Sequence, residues 1–270
     1  MPPTPGPEKA RVANIAAYTL LAKVYLTFGK PAEAKTALEE AIKNTSYGLE
    51  STTKKVFDVG NKMNREIIFA LYYNKTNDNG HGYWYSANTD VLADINNPTP
   101  TFKAIYDSEK DNRLPLISSY TKIKDNLFAM TKWYDTYDAT YTTQVGNDFP
   151  HLRYADVVLM YAEALAESGS SLGDALVWLN KTRTRAGLDA LKPEDIPSKG
   201  AFIEALADER GREFALEGHR WFDLVRLGLA LDRFHEMGYK LDAHNLLFPI
   251  PQNQIEIVND KTILWQNPGY

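Results

Sequence analysis

Three glutamates recur every four residues in the segment 201–228, at Glu209, Glu213 and Glu217. The carboxyl groups of Glu209 and Glu213 could act as general acid and general base, as paired carboxyl groups do in glycosidases. Such an acid catalyst needs one carboxyl group with a raised pKa. Four nearby arginines would instead keep all three carboxylates ionised: Arg210, Arg212, Arg220 and Arg226. The pattern therefore favours a structural network of ion pairs over a hydrolytic centre.

The same segment interleaves charged residues with large aromatic side chains. Trp221 and Asp223 stand between Arg220 and Arg226. An unpaired buried charge is costly, so charged groups among such rings are expected to be half-buried and paired. Helical periodicity predicts one long amphipathic helix, a break at Gly218 and a short second helix. The predicted structural network consists of Glu209, Arg210, Glu213, Glu217, Arg220, Trp221, Asp223 and Arg226.

The first candidate for ligand binding is a loop rich in Asn and Gly that contains three consecutive aromatic residues, Tyr83, Trp84 and Tyr85. Flat rings can stack on the apolar face of a sugar, whereas amides and carboxylates hydrogen-bond its hydroxyl groups. Asn79 and His81 stand just before the rings and could supply those hydrogen bonds. The alternative is that one ring fills the core while the others pack locally.

Two further groups of aromatic residues are weaker candidates. A strand is predicted over 127–137, and its alternation would place Trp133 and Asp135 on one face. These two residues form the second candidate. The third candidate is the run Tyr72, Tyr73 and Asn74.

No motif for catalysis, cofactor binding or metal binding is present. The sequence has no G-x-S-x-G elbow, H-E-x-x-H pair, P-loop or G-x-G-x-x-G loop. Its 5 histidines are scattered, and the absence of cysteine excludes thiolate catalysis and cysteine metal sites. An Asn/Asp-rich run loosely resembles a calcium loop but lacks the final glutamate. We therefore expect no catalytic residue, no cofactor and no metal.

Charge and hydropathy exclude two classes of partner. The net charge of −5 and the sequence pI near 5.6 argue against nucleic acid, which requires a basic face. No apolar run reaches the about 18 residues of a transmembrane helix. The opening residues MPPTPGPEK lack an apolar stretch, so no signal peptide is expected.

The chain is predicted to be mainly α, with helix pairs of the tetratricopeptide type and a long irregular insertion containing short strands. One pair is expected over 8–44, and a second pair with the glutamate-rich segment over 151–270. The insertion, 45–150, loses helical periodicity. We predict a single domain over 1–270. The inward positions of the first helix are predicted to be Tyr18, Leu21, Ala22 and Tyr25.

Local patterns inside the insertion predict three short elements. The run 65–73 is rich in β-formers and is expected to be a strand. A short helix is expected over 99–106, with Thr101 as its cap. The segment 127–137 is the second predicted strand.

Five ordered motifs give the sequence a resemblance to a known family. They are ER-x-x-EF-x-x-EG-x-RWFDL-x-R at 209–226, RYADVVLMYAEAL at 153–165, LNKTRTRAGL at 179–188, FPIP at 248–251 and QNPGY at 266–270. Together they resemble the C-terminal part of the SusD/RagB family, outer-membrane glycan-capture lipoproteins of Bacteroidetes.

The resemblance implies a SusD-like α superhelix without catalytic activity. It implies binding of an oligosaccharide or polysaccharide through aromatic residues in irregular loops, and delivery to a TonB-dependent, SusC-like transporter. It also implies an outer-membrane location exposed at the cell surface, through a lipid anchor on a cysteine that this sequence does not contain. A peptide-binding, RagB-like component or a tetratricopeptide scaffold for proteins remains the alternative. The five motifs imply structural roles, so no binding residue is transferred from them.

Overall fold

The structure is a computed structural model that describes residues 12–73, 86–88, 98–118, 120–124, 127–133 and 146–270. The chain divides into two compact units, Met1–Arg220 and Trp221–Tyr270. The single domain expected over 1–270 stays a prediction. Within the described residues, no helix combines the length and hydropathy that crossing a membrane requires.

The first unit is mainly helical, which confirms the predicted fold class. Its helices α1 and α2 form one pair, α6 and α7 form the second, and α8 packs against α6 and α7. The helices are α1 Asn14–Thr27, α2 Pro31–Ile42, α3 Thr53–Val56, α4 Pro100–Lys103, α5 Leu114–Ser118, α6 Tyr154–Glu167, α7 Leu172–Arg185 and α8 Lys199–Glu213. Helix α9, Arg220–Arg226, starts at the last residue of this unit.

The first pair turns at Gly29, whose φ of +65° suits glycine, and Pro31 opens α2 at a position where no backbone donor is needed. Ala22 and Ala34 are both fully buried, so the two helices approach closely. The first helix begins at Asn14 rather than at the predicted Glu8.

One predicted inward position of α1 is wrong. Leu21 is 41% exposed, whereas Ala22 is buried as expected and Tyr18 and Tyr25 are half-buried against the same core. The buried residues of α1 are Ile15, Ala16, Thr19, Ala22 and Leu26. Apolar residues occupy both faces of this helix, so hydrophobic periodicity alone could not identify the buried one.

The second pair has clear local signals at its helix starts. Ser171 caps α7 by accepting a hydrogen bond from the Asp174 N–H at 3.1 Å. Ser198 caps α8 in the same way, from the Ala201 N–H at 3.1 Å. Helix α6 is buried almost all round, because α2, α7 and α8 all pack against it. It is the central helix of the unit.

Two small antiparallel sheets occupy the insertion and its exit. Strands β1, Ile67–Leu71, and β5, Phe149–Arg153, pair with Ile67 opposite Arg153 and Leu71 opposite Phe149. A second sheet has the order β2-β4-β3. Its strands are β2 Ser86–Asn88, β3 Tyr120–Lys124 and β4 Leu127–Met130.

The strand expected over 65–73 is confirmed by β1, and two other local predictions are corrected. The strand predicted over 127–137 stops at Met130, and Thr131–Trp133 forms a 3-10 turn. Thr99, not Thr101, caps α4, because its hydroxyl accepts from the Phe102 N–H at 3.1 Å. Pro100 then takes the first helical position.

The second unit contains two further short helices, α10 Ala230–Glu236 and α11 Gln252–Val258. The Gln266 side chain exchanges two hydrogen bonds with the Ile250 backbone, at 2.7 and 2.9 Å. The Tyr270 hydroxyl donates to the Leu247 carbonyl at 2.9 Å. Ile257, on α11, is 75% exposed.

Leucine-to-alanine substitutions on the first helix pair will separate buried from exposed positions. Leu38 is fully buried, so Leu38→Ala is expected to lower the free energy of unfolding by about 2–5 kcal/mol. Leu21→Ala is the matched control and is expected to cost less than about 1 kcal/mol. Urea unfolding of both variants measures the difference. Equal losses would contradict the assigned orientation of α1.

Candidate ligand-binding site

The first candidate loop lies outside the described residues, but the structure gives both of its ends. Tyr73 directly follows β1, and Ser86 begins β2. The loop therefore joins the β1–β5 ladder to the second sheet. Predicted binding residues that lie outside the described part of the chain are Asn74, Asn79, His81, Tyr83, Trp84, Tyr85 and Asp135.

The point where this loop leaves the ladder is fixed by hydrogen bonds. Asp148 Oδ1 accepts from the Tyr73 N–H at 3.0 Å and from Lys62 Nζ at 3.0 Å. Lys62 Nζ also donates to the Tyr73 carbonyl at 2.5 Å. These three residues, here called the clasp, tie the start of the loop to the strand that returns to the helical scaffold.

Trp133 belongs to the second candidate group. It lies in the interior, which contradicts its prediction as a binding residue. Its side chain is 1% exposed. It stacks on Phe149 with ring centroids 5.9 Å apart and meets Phe57 edge-on at 4.9 Å. A ring in this position has no free face for a sugar. The prediction depended on strand alternation, but Thr131–Trp133 forms a 3-10 turn instead of a strand.

The predicted glutamate network is described in full, and every carboxylate in it is buried. Glu209 and Glu213 are both 0% exposed. Arg113 Nη1 donates to Glu209 Oε1 at 2.8 Å and to Glu213 Oε2 at 3.0 Å. Glu213 Oε1 accepts from Arg153 Nη1 at 2.6 Å and also from Arg185. Helix α8 therefore directs two carboxylates toward three guanidinium groups.

Arg153, at the end of β5, bonds three glutamates of this network. It donates to Glu217 Oε2 at 2.7 Å and to Glu66 Oε1 at 2.8 Å, besides its bond to Glu213. Its guanidinium lies 4.3 Å from the centre of the Phe214 ring. Lys132 Nζ donates to Glu217 Oε1 at 2.7 Å, so a second cation lies beside this carboxylate. One arginine thus links α8, the turn after it and both strands of the ladder.

Most of the cations that bond the three glutamates are not the arginines that lie near them in the sequence. Arg212 does bond Glu209, at 3.3 Å. Arg210 instead pairs with Asp156 at 2.9 Å, Arg220 donates to the Ala207 carbonyl at 2.6 Å, and Arg226 pairs with Asp223 at 2.8 Å. The partners that sequence reasoning missed are Arg113, Lys132, Arg153 and Arg185. A weak signal existed for two of them, because Arg153 and Arg185 lie within the matched motifs.

The electrostatics of Glu213 and Glu217 do not suit acid catalysis by these two glutamates. Burial by itself raises the pKa of Glu213, but Arg185, Arg153 and Arg113 together hold that pKa well below its usual range. Burial also raises the pKa of Glu217, and Arg153 and Lys132 bring it below its ordinary value. A general acid must carry a proton near neutral pH and reach the substrate. Neither carboxyl group meets these requirements.

No group of three or more His, Asp or Glu side chains within the described residues is arranged to hold a metal ion.

The model of the SusD family matches residues 112–270 of this chain, which is more than half of it. The chain belongs to the SusD family. The SusD match includes α5 to α11, strand β5 and most of the buried network, so family membership and the ionic core lie in the same part of the sequence.

Among curated relatives, SusD-like protein P2 of Formosa agariphila is 28% identical and covers 96% of this chain. Starch-binding protein SusD of Bacteroides thetaiotaomicron is 31% identical over 53% of this chain. A solved structure named as a laminarin binding SusD-like protein superposes with a TM-score of 0.70 at 25% identity and covers 100% of this chain. This chain spans 59%, 26% and 66% of these three proteins, respectively.

Neutralising one network carboxylate will test its structural role. Glu209→Gln leaves buried guanidinium groups without a counter-charge, so we expect a loss of about 3–5 kcal/mol in the free energy of unfolding. Asp208→Asn, next to it on α8, is the matched control because its ion pair with Arg220 is long (3.9 Å) and partly exposed. The control is expected to lose about 1 kcal/mol or less. Unchanged stability of Glu209→Gln would contradict the structural role.

His219 will give the folded protein a measurable pH dependence. Its ring stacks on Phe214 with centroids 4.6 Å apart, and burial lowers its pKa from 6.5 to about 4. The unfolded chain takes up this proton near pH 6.5, but the folded chain does so only near pH 4. The free energy of unfolding should therefore fall by about 3 kcal/mol as pH decreases through this window.

Urea unfolding at several pH values measures this dependence. His219→Phe keeps an aromatic ring against Phe214 and removes the titrating group, so its curve should be flatter between pH 6.5 and pH 4. An identical slope in both proteins would show that His219 does not cause the dependence.

Proposed function

We propose that this chain is a non-catalytic glycan-binding protein that captures oligosaccharide through aromatic stacking and hydrogen bonds. The observation that carries the proposal is the run Tyr83, Trp84 and Tyr85 in a loop whose start is clasped to a rigid ladder. Rings on a loop held by a fixed scaffold can be positioned with little entropy loss on binding. The names of two SusD relatives, which bind starch and laminarin, support the same ligand class.

The binding mechanism breaks no bond in the ligand. The ring faces of the aromatic run cover the C–H face of a sugar, while Asn79 and His81 hydrogen-bond its hydroxyl groups. The acidic residues that could have supplied hydrolysis, Glu209 and Glu213, are buried and paired with arginines. This supports a protein that holds and releases glycan without turnover.

The proposal extends to a partner and a location. The captured oligosaccharide is passed to a TonB-dependent, SusC-like transporter at the outer-membrane surface. SusD family proteins are known as outer-membrane-associated proteins, which supports this placement. The two helix pairs supply a helical surface of the kind that tetratricopeptide repeats use to contact proteins.

A glycan array tests the ligand class and the site together. Wild type is expected to bind a defined oligosaccharide or polysaccharide, and Trp84→Ala is expected to lose about tenfold or more in affinity. Trp265→Ala is the matched control, because Trp265 is 61% exposed and lies outside the insertion 45–150 in the sequence. It should bind like wild type.

Three outcomes of this array separate the alternatives. Binding that survives Trp84→Ala would move the site away from the aromatic run. Binding to no glycan, together with binding to a peptide library, would replace the proposal with a RagB-like peptide-binding function. If the protein binds neither a glycan nor a peptide, a scaffold that contacts only proteins becomes the better interpretation.

A further inference from the structure

Helix α1 carries most of the large apolar side chains that stay exposed within the described part of the first unit. Leu20 is 53% exposed, Leu21 41% and Val24 42%, and Phe28, the C-terminal cap of the helix, reaches 73%. The other exposed large apolar residues described in this unit are spread over three places in the chain: Val12, Leu71 with Tyr72, and Val177. Single apolar residues on a surface are ordinary, but four on one helix form a patch.

The four residues lie on one side of α1 and form an apolar stripe. Leu20, Val24 and Phe28 follow one another at intervals of four residues, and Leu21 lies beside them. Side chains at this spacing share one face of a helix. The buried side chains of α1 lie on the other side, in the core that α1 shares with α2 and α6. A helix that is apolar on both sides is expected to pack against something on each.

The stripe has no net charge around it. The sequence of α1 contains one charged residue, Lys23, whose Nζ lies 3.0 Å from Asp156 Oδ2 in the same unit. In the turn and first residues of α2 that follow, Lys30 and Glu33 are exposed and carry opposite charges. Such a surface does not repel a copy of itself, and it has little to attract a strongly acidic or basic partner.

The side chains of the stripe do not suit a sugar either. Leu20, Leu21 and Val24 are aliphatic, so they offer neither a flat ring for stacking nor a polar group for hydroxyls. The surface that fits this stripe is therefore an uncharged apolar protein surface, and α1 itself has that chemistry.

We propose that a second copy of this chain covers the stripe, so that two α1 helices cross at Val24 in a symmetric dimer. In a two-fold dimer the same patch serves both copies, and the residue at the crossing point meets its own counterpart. Leu20 and Phe28 flank Val24 at equal intervals, so their row can pack as a ridge into the groove beside the same row of the other copy. The dimer does not depend on the proposed glycan-binding function.

The size of the stripe predicts a weak dimer. Residues 20–28 rise over only about 12 Å of helix. Contacts of this size bury less than the about 1,200 Å² that a stable complex requires. We expect a dissociation constant on the order of 10–100 µM. Each copy has a net charge of −5, so added salt should strengthen the dimer by screening the repulsion between copies.

Sedimentation velocity over about 5–500 µM protein will test the dimer. Wild type is expected to pass from monomer to dimer over this range. Val24→Glu and Val24→Lys each place like charges at the crossing point, so each should weaken association about tenfold or more. An equimolar mixture of the two variants should recover the dimer, because a glutamate then meets a lysine.

Two further variants separate association from folding. Val177→Glu is the matched control, since it makes the same change at an exposed valine on α7, and it should associate like wild type. Phe28→Ala removes the most exposed side chain of the stripe without adding charge and should also weaken the dimer. The thermal midpoints of all variants at about 5 µM should lie within about 4 °C of wild type, because these side chains are exposed in a single copy.

Each outcome bears on a different part of the proposal. Wild type that stays monomeric at every concentration overturns the dimer. A dimer that neither Val24→Glu nor Phe28→Ala weakens is formed by another surface and overturns the role of α1. If the mixture of the two charged variants stays monomeric, the crossing at Val24 is overturned. Growth into larger assemblies overturns the closed, symmetric contact.

Discussion

The first unit depends on the neutralisation of buried carboxylates by Arg153. This arginine bonds Glu66 before β1, Glu213 at the end of α8 and Glu217 in the turn that follows. Removing so many charges from water is costly, and the cost is offset only when every partner is in place. Such a network is therefore cooperative: the helices and the ladder have to assemble together before any of the pairs becomes favourable.

The β1–β5 ladder connects this network to the proposed binding surface. At one end Ile67 pairs with Arg153, so the ladder starts in the ionic core. At the other end Leu71 pairs with Phe149, and the clasp of Lys62, Tyr73 and Asp148 follows directly. A two-stranded ladder is marginal alone, but here both ends are tied by charged hydrogen bonds.

This arrangement separates the residues that stabilise the fold from those that are proposed to bind glycan. The matched motifs supply the ionic core and the helix packing, whereas the aromatic residues belong to segments with no matched motif. Loops on a fixed scaffold can change sequence without disturbing the buried pairs. In the proposed function the insertion contacts the glycan, whereas the network stabilises the fold.

The sequence by itself determined the mainly α class, both helix pairs, the strand β1 and the family, because periodicity, Gly and Pro signals and short motifs are local. It also indicated that the glutamates are paired. Tertiary structure decided which arginines pair with them, since Arg113 and Arg153 come from distant segments. It also decided that Trp133 is buried and that Leu21 is exposed. Burial depends on which elements pack together in three dimensions, and no local pattern in the chain records that.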